Sequence, residues 1–258
     1  MTRLTEESYW SEGYRRRASI VPVSIDGSLN FCNSRILGVL SVAGLEGKRI
    51  LEIGGGGSSW LAFLASRFPS SSFVGLDYSK EGCDLLKQYA DENGLKNLRY
   101  ECADFFDCER LSGSFDLVYS LGVVEHFSDL SAALAHMRRF LDRDGVMVTV
   151  IPNMAGVIGS LTKLFNRQIY DLHVPYDEGD LTRGHVAAGM KIMSDGYLCS
   201  SNFGVLSSCF TEERGAKYFI YKWLTRASKL LWLLESRGMR LPETKWFSPY
   251  IYTVAKGA

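Results

Sequence analysis

Leu51-Glu52-Ile53-Gly54-Gly55-Gly56-Gly57-Ser58-Ser59-Trp60 is the stretch that decides the fold: a short apolar run stops at four consecutive glycines, and a helical pattern starts directly after them. Glycines at a strand-to-helix turn let the backbone reverse tightly. They also let a ligand approach where a Cβ would obstruct it, at the carboxyl edge of a sheet. Such a ligand is a dinucleotide or an adenosyl amino acid. The dinucleotide fingerprint Gly-x-Gly-x-x-Gly needs glycine at 59 if it starts at Gly54, or at 60 if it starts at Gly55. The chain has Ser59 and Trp60, so both registers fail. Glu52 points the same way, because a carboxylate at the mouth of the turn repels phosphates and pairs with an ammonium group.

Outward from this turn, apolar β-rich runs alternate with helical patterns, the signature of βαβ units and a parallel sheet. The predicted strands are Arg49–Ile53, Phe73–Leu76, Leu98–Cys102, Phe115–Tyr119 and Val146–Ile151, followed by a sixth near Met190–Leu198 and a last at Tyr250–Ala255. Between them the period becomes helical. Trp60, Leu61, Leu64 and Phe68 share one face, as do Leu85, Leu86 and Tyr89, and Leu130, Leu134, Met137 and Leu141. Ser79 and either Ser128 or Asp129 suit helix N-caps, and Asn93-Gly94 and Asp144-Gly145 suit turns with positive φ. After Pro152 the alternation loosens into two insertions. The first carries an amphipathic helix through Met154, Val157, Ile158, Leu161, Leu164 and Phe165. A short helix over 180–188 follows it. The second insertion carries a long helix with Ile220, Trp223, Leu224, Ala227, Leu231 and Leu234 on one side, and Lys222, Arg226 and Lys229 on another.

The 258 residues suit one large domain, and 29 basic residues balance 29 acidic ones, so no net field is available to draw a polyanion. Nucleic acid is not expected as a partner. The polar N-terminus lacks the basic start and apolar core of an export signal, and Tyr218–Leu234 is interrupted by Lys222, Arg226 and Lys229, so no spanning helix is expected either. The expected location is cytoplasmic. Cys32, Cys83, Cys102, Cys108, Cys199 and Cys209 form no Cys-x-x-Cys pair and read as reduced thiols.

Two more carboxylates follow strands. Asp77, after the second, can accept both hydroxyl hydrogens of a ribose. Asp104, after the third, can accept from an adenine amino group, with Phe105 or Phe106 against the base. In order, these pieces resemble the class I S-adenosylmethionine-dependent methyltransferases. Glu52-x-Gly54-x-Gly56-x-Ser58 is similar to the family's first motif, with Ser58 where a third glycine is common. Asp77 resembles the acidic residue after strand two, Ala103-Asp104 the third motif, and Phe115–Phe127 the fourth. Leu141-Asp-Arg-Asp-Gly145 resembles the segment leading into strand five. The match spans about residues 49–151 plus the last strand.

The resemblance implies an α/β three-layer sandwich around a seven-stranded, mostly parallel sheet whose last strand is antiparallel and lies beside the sixth. One methyltransferase domain covers 1–258. Residues 1–46 make an N-terminal helical lid and 47–152 the cofactor-binding core, with 153–178 and 203–247 as inserted helical segments capping the substrate. S-adenosylmethionine is the implied cofactor, and Glu52, Gly54, Gly56, Asp77, Tyr78, Asp104, Phe105 and Ser120 are the implied binding residues. Tyr9-Trp10 and Tyr14 look like the aromatic segment that closes over the cofactor in small-molecule methyltransferases, where aromatic faces stabilise a sulfonium.

Methyl transfer from a sulfonium is an in-line displacement that needs a base only for some acceptors. His126, after strand four, and His173, in the first insertion, are the candidate catalytic residues, His173 foremost; His185 reads as packing. Ubiquinone-type O-methyltransferases carry a Glu-x-x-Glu-His segment associated with a divalent cation. Here Gly122-Val-Val-Glu125-His126 lacks the first carboxylate, so no metal is expected. The expected reaction is methylation of a small acceptor, aromatic or hydrophobic, at oxygen, with nitrogen or carbon acceptors as variants. Two alternatives stay open: a non-catalytic cofactor-binding subunit, and peripheral membrane association through the basic-faced helix near Lys217–Leu234. Homodimer contact is another use for the insertions.

Overall fold

The computed structural model describes residues 2–257. Seven strands form one sheet: β1 (Arg49–Ile53), β2 (Ser72–Asp77), β3 (Leu98–Cys102), β4 (Phe115–Leu121), β5 (Leu141–Pro152), β6 (Met190–Leu198) and β7 (Tyr250–Gly257). Their order is β3-β2-β1-β4-β5-β7-β6, parallel from β3 to β5, with β7 antiparallel to both β5 and β6. The chain leaves β1 toward β2 and β3, then returns to the other side of β1 as β4. At that reversal the loops after β1 and β4 diverge and leave a crevice at the carboxyl edge of the sheet.

The helices are α1 (Glu7–Arg15), α2 (Phe31–Leu40), α3 (Ser59–Arg67), α4 (Lys80–Glu92), α5 (Leu130–Arg138), α6 (Val157–Phe165), α7 (Arg167–Asp171), α8 (Glu178–Ala187) and α9 (Ala216–Ser236). Side chains alternate across a strand, so each strand feeds two cores. Ile50, Leu117, Tyr119, Val146, Val148 and Val150 meet α2, α3 and α4 on one face. Leu51, Ile53, Val118, Met147 and Ile151 meet α5 and α8 on the other. Burial on both faces explains why the inner strands β1, β2, β4 and β5 read as mainly apolar runs, whereas the edge strands β3 and β6 are more exposed and more polar. A third core, Met154, Ile158, Phe165, Leu206 and Cys209, joins α6 to the 3-10 segment Phe203–Cys209 and forms the centre of the cap.

Both cap expectations resolve cleanly: Ser79 accepts from the Gly82 amide at α4, and Asp129 accepts from the Ala132 amide at α5, while Ser128 bonds Thr2. Elsewhere the structure departs from the sequence reading. Leu141 opens β5 and does not close the face of α5, which ends at Arg138. Gly94 has positive φ, but Gly145 does not; it lies within β5, where a Cβ would meet the Phe115 carbonyl at 2.8 Å.

The long helix is also turned from its expected orientation: α9 buries Ser228 and Trp232 and leaves Ile220, Trp223 and Ala227 exposed. Apolar residues run nearly all the way round α9, so periodicity alone does not select the packed stripe. Cys32 and Cys199 are not reduced thiols but a disulfide pair with Cα atoms 5.8 Å apart, tying α2 to the end of β6. Sequence reasoning could not foresee a pair 167 residues apart.

Trp232 fastens the cap helix to the rest: its ring is buried and its Nε1 donates to the Ser201 carbonyl at 2.7 Å. Trp232→Ala removes both the packing and the donor and is expected to cost about 3–5 kcal/mol. The urea midpoint should fall accordingly; an unchanged midpoint would mean α9 does not pack as described.

Candidate active site

The glycine turn is held by the helix it starts. Ser58 caps α3, accepting from the Trp60 and Leu61 amides at 3.1 and 3.0 Å, and its hydroxyl donates to Glu52 Oε2 at 2.6 Å. Tyr119, on the neighbouring strand, donates to the same oxygen at 2.7 Å. Glu52 is thus fixed at the end of β1 with Oε2 engaged. Burial lifts its pKa to about 7, against the two hydrogen bonds that favour the carboxylate. Asp77, at the end of β2, accepts through Oδ2 from the Gly56 amide at 2.9 Å and the Tyr14 hydroxyl at 3.2 Å, and through Oδ1 from the Ser79 amide at 2.8 Å. Its pKa is raised too, chiefly by burial.

Two glycines are required here for different reasons. Gly54 has φ +74°, a left-handed conformation that L side chains rarely adopt. At Gly56 a Cβ would stand 2.6 Å from Asp77 Oδ2, so only glycine lets that amide reach the carboxylate.

A cavity of about 810 Å³ lies over these residues. Of the expected set, Glu52, Gly54, Gly56, Asp77, Tyr78, Phe105, Trp10, Tyr14 and His126 line it. Asp104 and Ser120 do not. Asp104 Oδ2 is paired with Arg3 at 2.6 Å, and the Arg3 guanidinium lies over the Tyr78 ring, 4.6 Å from its centroid. Ser120 is fully buried because β4 runs on to Leu121, drawing the serine into the sheet opposite Thr149; Leu121 and Gly122 face the cavity instead. Arg3, Arg17, Trp60, Phe127, Ser207 and Ser208 also line the cavity and were missed. Ser58 was seen only as a motif position. Nothing in local sequence marks the terminal Arg3 or the cap serines, which chain folding brings in from a distance.

Residues 50–145 match the model of a family described as a methyltransferase domain. Residues 50–145 are thus a methyltransferase domain, on the seven-stranded fold of the class I S-adenosylmethionine-dependent methyltransferases. It is 36% identical over 104 residues to a trans-aconitate 2-methyltransferase of Deinococcus radiodurans, covering 40% of this chain and 38% of that protein. It is 30% identical over 107 residues to a ubiquinone biosynthesis O-methyltransferase of Neisseria meningitidis, covering 41% and 44%. The matches thus span less than half of these relatives. The crystal structure of a geranyl diphosphate C-methyltransferase from Streptomyces coelicolor, with Mg2+, geranyl diphosphate and S-adenosyl-L-homocysteine, covers 98% of each chain at TM-score 0.64 and 13% identity; that likeness shows the fold.

Beyond the methyltransferase domain's cofactor cleft is a second chamber of about 290 Å³, sharing Trp10, Trp60, Leu121, Gly122 and His126 with it and adding Glu125, His173, Val205 and Tyr250. His126 sits in the 3-10 turn Val124–His126 after β4, edge-on to Trp10 with ring centroids 5.3 Å apart. His173 follows α7 and lines only this chamber. Burial holds His126 down at about 4 and His173 below its ordinary value, and pushes Glu125 up to about 8. His185, by contrast, is fully buried in α8, bonded to Thr149 Oγ1 at 3.1 Å and the Leu181 carbonyl at 2.8 Å, as a packing residue would be.

A ligand ammonium group at Glu52 would be attracted only while that side chain is a carboxylate. With a pKa of about 7, Glu52 gains its proton as the pH falls through neutrality, and the attraction goes with it. Calorimetric affinity for S-adenosylhomocysteine is therefore expected to fall between about pH 8 and about pH 5.5, approaching tenfold per pH unit at the acid end. Glu52→Gln should flatten this dependence. A parent curve as flat as the variant's would remove Glu52 from the ammonium site.

Proposed function

We propose that this protein transfers the methyl group of S-adenosylmethionine to a small-molecule acceptor, with a hydroxyl oxygen as the favoured nucleophile. The observation that carries the reading is that Glu52, Gly56 and Asp77 line one and the same cleft as the imidazole of His126. Its volume is ordinary for a small-molecule site. The residues fit the cofactor. Glu52 would take the ammonium group, Asp77 the ribose hydroxyls, and Tyr78 and Phe105 the adenine faces. Bound there, the cofactor supplies a methyl carbon made electrophilic by the sulfonium.

The chain's own residues then have three tasks. The glycine turn fixes the donor end, so that acceptor and methyl carbon meet in line. Trp10, Tyr14, Trp60 and the cap serines close over the cleft and keep water from competing. His126 and His173 present ring nitrogens to the acceptor chamber, where they can bind a hydroxyl or take its proton.

Asp77→Ala tests the reading. Losing hydrogen bonds between an ionised carboxylate and the ribose should weaken S-adenosylhomocysteine at least about tenfold by calorimetry. The parent should also release S-adenosylhomocysteine from S-adenosylmethionine in a panel of phenolic and aliphatic hydroxyl acceptors. No saturable binding by the parent would end the assignment. Binding without turnover on any acceptor would favour a non-catalytic binding subunit.

One surface favours a second element of the reading, an acceptor collected at a membrane. No helix among the described residues is long and apolar enough to cross a bilayer. Yet α9 turns Phe219, Ile220, Trp223 and Leu230 outward at 62%, 50%, 56% and 60% exposure, beside Lys222, Arg226 and Lys229. An apolar stripe flanked by cations suits an anionic lipid surface. Co-sedimentation with phosphatidylserine vesicles should be strong for the parent and lost when the three cations become glutamines; equal sedimentation of both would discard the surface.

A further inference from the structure

Three metal-competent side chains meet at the acceptor end. Glu125 and His126 come from the turn after β4 and His173 from the segment after α7, and their nitrogen and oxygen atoms all lie within 4.8 Å of one another. The two imidazole rings are 4.6 Å apart between centroids. His126 Nδ1 bonds the Leu172 carbonyl and His173 Nδ1 the Ile169 carbonyl, each at 2.7 Å. A carbonyl only accepts, so both Nδ1 atoms carry the proton and both Nε2 atoms keep a lone pair. Fixing the far ring nitrogen on a backbone carbonyl is how metal-binding histidines are oriented.

The segment that delivers His173 is itself pinned to the turn, the Val174 amide donating to the Glu125 carbonyl at 2.7 Å. Glu125 is 1% exposed and its Oε2 has no hydrogen-bond partner. His126 Nε2 is 4.0 Å from Glu125 Oε1, beyond hydrogen-bond range. Among the described residues, no hydrogen bond joins any two of the three side chains. Three potential ligand atoms thus stand within 4.8 Å of one another with no hydrogen bond between them, and a cation among them would give all three a partner.

We propose that Glu125, His126 and His173 form a divalent-cation site of zinc-like preference, whose open coordination positions take the oxygen of a hydroxyl acceptor. Two imidazoles and one carboxylate are the donor set of catalytic zinc and other first-row ions, which keep a position free for a further ligand. Bonds of about 2.0–2.2 Å draw such ligands closer together than they stand here, by side-chain rotation. The chamber these residues line shares Trp10, Trp60, Leu121, Gly122 and His126 with the cofactor cleft, so an oxygen held on the cation would stand next to that cleft. His173 supplies the ligand that the sequence lacks at Gly122. The acceptor assignment rests on the methyltransferase reading; the cation site does not.

The test uses full-length protein without a histidine tag, stripped with chelator and titrated by calorimetry with Zn2+ and, in parallel, S-adenosylhomocysteine, with Co2+ as a visible probe. One Zn2+ per chain and a cobalt d–d absorption band are expected. His173→Ala and Glu125→Gln should each weaken Zn2+ by roughly 10–100-fold or more, with unfolding midpoints in chelator close to the parent's. Absence of saturable Zn2+ binding in the parent, or equal binding in both variants, overturns the proposal. Zn2+ binding without S-adenosylhomocysteine binding keeps the site and removes the methyltransferase reading; Zn2+ binding that also slows S-adenosylmethionine turnover on every active hydroxyl acceptor overturns its acceptor role.

Discussion

The arrangement depends on one contact: the amide of Gly56 lies 2.9 Å from the carboxylate of Asp77, and any Cβ at that position would sit inside the carboxylate. This contact joins the loop after β1 to the end of β2. It holds the turn open just where the strand order reverses and the sheet leaves a crevice. Ser58 caps α3 and donates to Glu52 in the same few residues, so helix start, strand end and the first carboxylate of the site are one hydrogen-bonded unit. Glu52 and Asp77 are both buried in this cleft, and burial raises the pKa of each.

Around this rigid floor the walls come from far along the chain. Tyr14 brings α1 onto the glycine turn, where its hydroxyl reaches Asp77, and Arg3 spans Asp104, Tyr78 and Phe127. Ser207 and Ser208 reach the cleft from the cap. The inserted segments have their own small apolar core and are fastened to the rest through Trp232, while the Cys32–Cys199 bond ties α2 to the end of β6. The floor is built from strand ends and local backbone geometry, and the walls from segments far along the chain, which on the proposed reading would hold the cofactor and set the acceptor respectively.

The inner strands of the sheet were legible because burial on both faces imposes apolar runs, and each predicted strand, edge strands included, lies within an observed one or coincides with it. The positions of Glu52, Gly56 and Asp77 at the cleft were legible because they follow from local backbone geometry at strand ends. Legibility failed where a residue's role is set by a distant partner. Asp104 reads as a base-binding carboxylate until Arg3 arrives from the terminus. Ser120 reads as a loop residue until β4 extends by two residues. The face of α9 was misjudged because its outer stripe is as apolar as its inner one. The meeting of His173 with Glu125 and His126 depends on a loop path that no spacing rule encodes.

The most direct measurement is a crystal structure of the protein with S-adenosylhomocysteine. The account predicts the amino group at Glu52, the ribose hydroxyls on Asp77 in place of the Tyr14 hydroxyl, the adenine between Tyr78 and Phe105, and the sulfur directed toward the chamber of His126 and His173. Density for the ligand anywhere else, or with its amino group away from Glu52, would contradict it.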